Sequence, residues 1–184
     1  MRSLCLGLAA AVLIAPAAHA RPWVVDKAAS RLGFTASMSG DAFQGSFSRW
    51  DATIEFDPAN LKASRATVTV DVGSAVTGDG ARDEALPSSD WFHARRFPRA
   101  TFVTQSITRT GPNRYTAAGT LTLRGVTRPA ALPFTLAISG NTARMNGQLV
   151  LDRTAFGVGQ GQWRTGAAVA TRVTVNVAVT AKAR

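Results

Sequence analysis

The sequence predicts an all-β fold of eight or so antiparallel strands in one domain, and three observations carry that prediction. Apolar and polar residues alternate with a period of two in segment after segment. Gly, Pro and Asn turn signals separate those segments at short intervals, so sequential antiparallel pairing is the natural topology. Polar or charged residues occur in every segment, which argues against a parallel sheet buried on both faces.

Residues 1–20 stand outside the pattern. Arg2 precedes the apolar run "LCLGLAAAVLIAPAA", and "AHA" at Ala18, His19 and Ala20 has the small residues of a leader cleavage site. The run is shorter than the roughly 20 residues a spanning helix needs. A secretory signal peptide over 1–20 is therefore expected, followed by a single domain over 21–184 that works in the periplasm. Cys5 would leave with the leader, so the domain must hold together without disulfides. The formal net charge of +10 falls by one with Arg2 and favours anionic partners. The basic residues are mostly single and spread between strands, a pattern that points away from nucleic acid.

The first strand signal is "RLGFTASM", with Leu32, Phe34, Ala36 and Met38 on one side. "FQGSFSRWDATIEFD" follows, with Ala52, Ile54 and Phe56 on one face and Gly45 where a bend is cheap, and Pro58 and Asn60 mark a turn. "RATVTVDVGS" sets Ala66, Val68, Val70 and Val72 against Thr67, Thr69 and Asp71. Further on, "RATFVTQSI", "RYTAAGTLTL", "AALPFTLAI", "RMNGQLVLD" and "AAVATRVTVNVAVTAK" repeat the alternation, three of them closed by "TGPN", "RG" and "SGN". Between the two series lies a charged insert, "GDGARDEALPSSDWFHARRFPRATF". Asp79 or Gly80 can start a short helix that Pro87 stops, and Ser89 or Asp90 can cap a second turn or two ending at Pro98. Trp91 and Phe92 are adjacent bulks in polar surroundings, so at least one should face inward as a plug.

Two architectures suit such strands, a two-sheet sandwich and a closed barrel. Small residues on the candidate inner faces, among them Ala36, Ala52, Ala66, Ala117, Gly119 and Gly147, fit a barrel with room for one ligand, although an alanine-rich composition would also produce them. In the barrel, the insert would close one end.

Chemistry is thin. His93 is the only histidine after the leader and no thiol remains, so metal clusters and Cys/His pairs are not expected. Asp83 and Glu84 are adjacent and cannot flank a substrate, and "GVGQGQW" lacks the helix a phosphate loop needs. A binding module fits better: an apolar lining with a few convergent polar groups. Candidate lining residues are Phe34, Phe47, Trp50, Phe56, Phe102, Phe134 and Phe156, with Trp23 and Trp163 at a rim; core packing is the alternative for each. Arg82, Arg128 and Arg153 lie at turns, where pairing with Asp83 or Asp152 competes with contact to an anionic headgroup.

"RDEALPSSDWF", "FPRATF", "GTLTLRGVTRP" and "LDRTAFGVGQGQW", in that order after a secretory leader, resemble the YceI-like family of bacterial polyisoprenoid-binding, lipocalin-like proteins. The resemblance implies an eight-stranded antiparallel lipocalin-like barrel whose tunnel holds an isoprenoid lipid or isoprenoid quinone, with no catalytic cofactor. It implies a non-enzymatic protein that sequesters or carries this amphiphile, makes transient contact with a membrane surface, and has a b-type membrane cytochrome or a second copy of itself as possible company. The ligand-binding residues expected along the tunnel or at its mouth are Phe34, Phe47, Trp50, Phe56, Arg82, Trp91, Phe92, Phe102, Ala117, Gly119, Phe134, Arg153, Phe156 and Trp163. Where relatives often carry histidines, this chain has Ala85 and "SRLGF", so any headgroup contact they make is missing here. Competing readings are an enzyme acting on a lipid or quinone and a structural or stress protein with a filled core; an outer-membrane barrel is disfavoured by a single tyrosine.

Overall fold

A computed structural model describes residues 20–184; the leader expected over 1–20 lies, except for Ala20, outside the described residues. The strands are β1 (Arg21–Val25), β2 (Arg31–Met38), β3 (Asp41–Phe47), β4 (Trp50–Phe56), β5 (Arg65–Asp71), β6 (Ala75–Val76), β7 (Arg99–Gly111), β8 (Arg114–Leu123), β9 (Val126–Ser139), β10 (Thr142–Asp152) and β11 (Arg172–Ala183), with one helix, α1 (Gly80–Ala85). All pairings are antiparallel, and β1 pairs with both β4 and β11, which closes the sheet into a barrel.

Eleven strands make eight staves because the first three are broken. β1 and β2 both lie along β11, β3 and β4 run along them, and β5 and β6 run along β4 and β3 in turn. The breaks are held by side chains that substitute for the ladder. Asp26 accepts from the N–H groups of Ala28 and Ala29, and buried Ser74 receives the Arg49 N–H while donating to the Asp71 carbonyl at 2.7 Å. The "FQGSFSRWDATIEFD" segment is thus two strands with a corner at Ser48 and Arg49.

The insert is half of what the sequence predicts. Asp79 caps α1 by accepting from the Arg82 N–H at 2.9 Å, and the helix ends before Pro87. The second helical piece does not form. After Pro87 the chain makes successive tight turns, and His93 adopts a φ of 52°, a left-handed conformation that no right-handed helix passes through.

The barrel wall is incomplete where β9 meets β10. β9 pairs with β8 over Val126–Thr135 but with β10 only over Phe134–Ser139. The Leu136 N–H points to Asn113, so by strand alternation the odd residues of β9 turn their backbone toward β10. Two of them, Pro129 and Pro133, have no N–H to offer, as suits an unpaired edge. Across the gap Arg128 Nε donates to the Ala155 carbonyl at 2.7 Å.

The interior divides into two clusters. At one end Trp23, Phe56, Ile107, Tyr115, Leu136 and their neighbours interlock. At the other, Phe34, Val72, Phe92, Phe156 and Val158 gather beneath the insert.

Candidate functional site: a lidded apolar cavity

Inward positions along the middle of the barrel are small or branched, and space remains among them. Ala36, Ala52, Ala66, Val68, Val70, Val173 and Val175 leave the middle of the barrel open, and aromatic and leucine side chains bound it. The resulting cavity has a volume of about 240 Å³, and among the described residues Thr101 and Arg153 are the only polar ones on its walls. The opposite end is closed by size. Trp23 is buried and donates to the Phe56 carbonyl at 3.0 Å, the Phe56 ring meets Tyr115 edge-on at 5.5 Å, and Tyr115 stacks on Phe134 at 5.4 Å.

Three segments build the lid: the insert over 77–98, the turn at Arg124 and Gly125, and the loop over 153–171. The loop is wound around one side chain. Arg153, 4% exposed, donates Nε to the Ala170 carbonyl, Nη1 to Val158, and Nη2 to Trp163 and Val169, at 2.6 to 3.0 Å. It meets no carboxylate among the described residues; Asp152 instead accepts from the N–H and hydroxyl of Thr154. Burial pulls the Arg153 guanidinium below its ordinary pKa while Asp152 acts in the opposite sense. The guanidinium lies 5.3 Å from the Trp91 ring, and Trp91 packs against Trp163 at 5.6 Å. Gly159 stands at a φ of +86° against the guanidinium, where a side chain would have no room.

Backbone groups tie the segments together. The Asp90 carbonyl receives the N–H groups of Gly159 and Gln160 at 2.9 and 2.7 Å. Arg124 donates Nε to the Trp91 carbonyl and Nη2 to Ser89. Phe92, 9% exposed, is the plug: its ring meets Phe47 at 6.0 Å, and Phe47 meets Phe34 at 5.5 Å. On the outer side Asp83 accepts from the Thr77 hydroxyl and N–H, each at 2.6 Å, and these bonds hold its carboxyl below the usual range.

Of the residues that the sequence nominated, Phe34, Phe47, Trp50, Trp91, Phe92, Phe102, Arg153 and Phe156 line the cavity. Phe56, Ala117 and Phe134 instead belong to the closed end, and so does Trp23, which was expected at a rim. Gly119 faces the bulge between Thr104 and Ser106 of β7, where an added Cβ would strike the Val103 backbone, so it borders packing and no open space. Arg82 pairs with Asp79 at 3.7 Å and lies over the Phe43 ring outside the cavity, so its partner is Asp79 and not Asp83. Trp163 contributes to the lid through its ring and carbonyl. Sequence reasoning missed Phe43, Leu86 and Val158 in the lining and Arg124 as an anchor. Only Arg124 had a signal, at the "RG" turn, and that signal said turn and not tether.

A family model described as the YceI-like domain matches residues 23–181. A UPF0312 protein of Pseudomonas savastanoi is 33% identical over 162 residues, covering 83% of this chain and 84% of the relative. One from Vibrio cholerae is 30% identical, covering 92% and 83%. Among solved structures, Burkholderia cenocepacia BcnA superposes with a TM-score of 0.82 at 33% identity, covering 85% of this chain and 98% of BcnA. A polyisoprenoid-binding domain from Saccharophagus degradans, implicated in plant cell wall breakdown, shares the fold with a TM-score of 0.67 at 16% identity, covering 89% of this chain and 99% of that domain.

Proposed function

We propose, from the premise that this chain belongs to the YceI-like domain family, that it binds a long-chain amphiphile of the isoprenoid type and sequesters or carries it without transforming it. The observation that carries this reading is the cavity itself, enclosed by a built lid and walled almost wholly by hydrocarbon. Each buried CH₂ of a tail there contributes about 0.8 kcal/mol. The single charged side chain on the wall is committed to structure, since four of the five guanidinium donors of Arg153 already meet carbonyls. The fifth, on Nη1, is left for a headgroup oxygen at the lid. The Saccharophagus domain that shares the fold is polyisoprenoid-binding, which supports the choice of tail. A leader over residues 1–20 supports work in the periplasm, with loading and unloading at a membrane surface.

Gentle purification from a bacterial periplasm, native mass spectrometry and solvent extraction test the reading. The expected result is a near one-to-one adduct that disappears on stripping, on a chain beginning at Arg21. A protein that purifies empty and rejects isoprenoid quinones and polyprenyl phosphates alike would refute lipid carriage. Conversion of the extracted lipid on incubation would favour an enzyme.

A further inference from the structure

The outer wall of the barrel carries a second concavity, of about 810 Å³, on the face formed by β3, β2, β11, β10, β9 and β8. Its geometry follows from register. Arg31 stands opposite Ala178, Ala178 opposite Asn146, Asn146 opposite Thr135, and Thr135 opposite Arg114, so one row of outward side chains crosses five strands with an arginine at each end. Four strand spacings make that row roughly 19 Å long. A second row beside it runs Ser46, Gly33, Asn176 and Gln148. The floor is low because Gly33 and Ala178 offer little or no side chain, and a Cβ on Gly33 would lie 2.7 Å from the Gly45 carbonyl oxygen.

The chemistry of this groove is distinctive. Four primary amides line it, Gln44, Asn146, Gln148 and Asn176, with threonine and serine hydroxyls between them, and no Asp or Glu does. Gln148 Nε2 donates to Asn176 Oδ1 at 3.0 Å and Asn176 Nδ2 donates to Thr35 Oγ1 at 3.0 Å, which fixes the orientation of two amides. The side chains of Gln44 and Asn146 have no partner among the described residues. Arg31 is steadied by the Ala28 and Ser30 carbonyls and Arg114 has no carboxylate partner, so both guanidiniums keep donors for an anion.

Amides and hydroxyls that each donate and accept match a chain of sugar hydroxyls, and an arginine at each end of the row matches carboxylate or phosphate groups. We propose that this groove binds an acidic oligosaccharide laid across the strands, with its negative groups at Arg31 and Arg114. The site is independent of the lipid reading, because its outward side chains do not line the cavity.

Titration calorimetry of the full mature protein with a short oligogalacturonate, against the neutral galactose oligomer of equal length, tests the proposal. The acidic sugar should bind at least about tenfold tighter than the neutral one, and Arg114→Glu should weaken it by about tenfold or more. Asn146→Leu should weaken both sugars, and Arg172→Glu, at the start of β11 and outside the groove lining, should leave binding within about twofold. Thermal unfolding of each variant separates loss of binding from loss of fold, and Arg114 serves because it is exposed and its side chain has no hydrogen-bond partner among the described residues. Equal binding of the two sugars, or equal loss in Arg172→Glu, would overturn the proposal. So would binding to polyglutamate or to phosphatidylglycerol vesicles as tight as to the sugar, which would make the groove a general anion surface.

Discussion

The two ends of this barrel are made from the same strands and hold together in different ways. At the closed end Trp23, Phe56, Tyr115 and Phe134 fill the bore, and the wall is a continuous ladder from β9 through β10, β11 and β1 to β4. At the lidded end alanine and valine on the staves leave a cavity bounded by Phe34, Phe47, Phe92 and Phe156, the β9–β10 ladder stops, and three loops are held by arginines bonded to carbonyls. The lesson is that space inside a barrel is set by side-chain size along each stave, while retention of a ligand is set by what closes the mouth. Stability and ligand retention should therefore separate between the ends.

The strongest way to break this comparison is to truncate one large aromatic at each end. Phe92→Ala and Phe56→Ala should each cost about 3 to 5 kcal/mol in urea unfolding. Bound lipid should be lost from Phe92→Ala and kept by Phe56→Ala, as read by native mass. Equal lipid loss from both would show that the ends are not separate. Arg153→Met should come next, at about 2 to 4 kcal/mol, because the carbonyls of Val158, Trp163, Val169 and Ala170 lose their donor. Arg153→Lys should not restore stability, since an ammonium with three donors cannot span four carbonyls arranged around a planar fork.

Adding volume sharpens the contrast at smaller energies. Ala117→Leu enters the closed end and should destabilise by about 1 to 3 kcal/mol through overpacking, with lipid retained. Ala66→Leu points into the cavity and should change stability by less than about 1 kcal/mol while displacing lipid. Lipid loss from Ala117→Leu alone would place the ligand in the wrong half.

These pairs also show what was legible in the sequence. Period-two alternation exposes which face of a strand is inward, so Phe34, Ala52, Ala66 and Phe102 were readable as interior. Alternation does not say how far along the barrel a residue sits, which is why Ala117 and Phe134 were assigned to a ligand when register places them at the closed end. The first three staves hid their breaks because Asp26 and Ser74 make the corners through hydrogen bonds that have no sequence period. Arg153 was expected to meet an acid or a headgroup because charge suggests charge. Its partners are carbonyls of a loop whose path no local pattern discloses.

The smallest expected effect concerns acid. Asp83 and Asp152 both fasten lid segments, through Thr77 and Thr154, and hydrogen bonds from those residues hold both carboxyls below the ordinary carboxylate range. A carboxyl depressed in the folded state contributes stability above its unfolded pKa, and that contribution is lost as pH falls through the folded pKa. Acid should therefore loosen the lid from about pH 4 downward, while the closed end, which rests on buried rings, keeps its near-ultraviolet signal to lower pH. Thr77→Val removes the first of the bonds that depress Asp83 and should return its pKa toward the ordinary value. The variant should be less stable than the parent at neutral pH, with the difference shrinking as pH falls through the folded Asp83 pKa. Urea unfolding at several pH values, with lipid retention followed in parallel, reads both effects. A difference that stayed constant down to pH 2 would mean that Thr77 supports the lid by packing alone and that the Asp83 carboxylate plays no part in closing it.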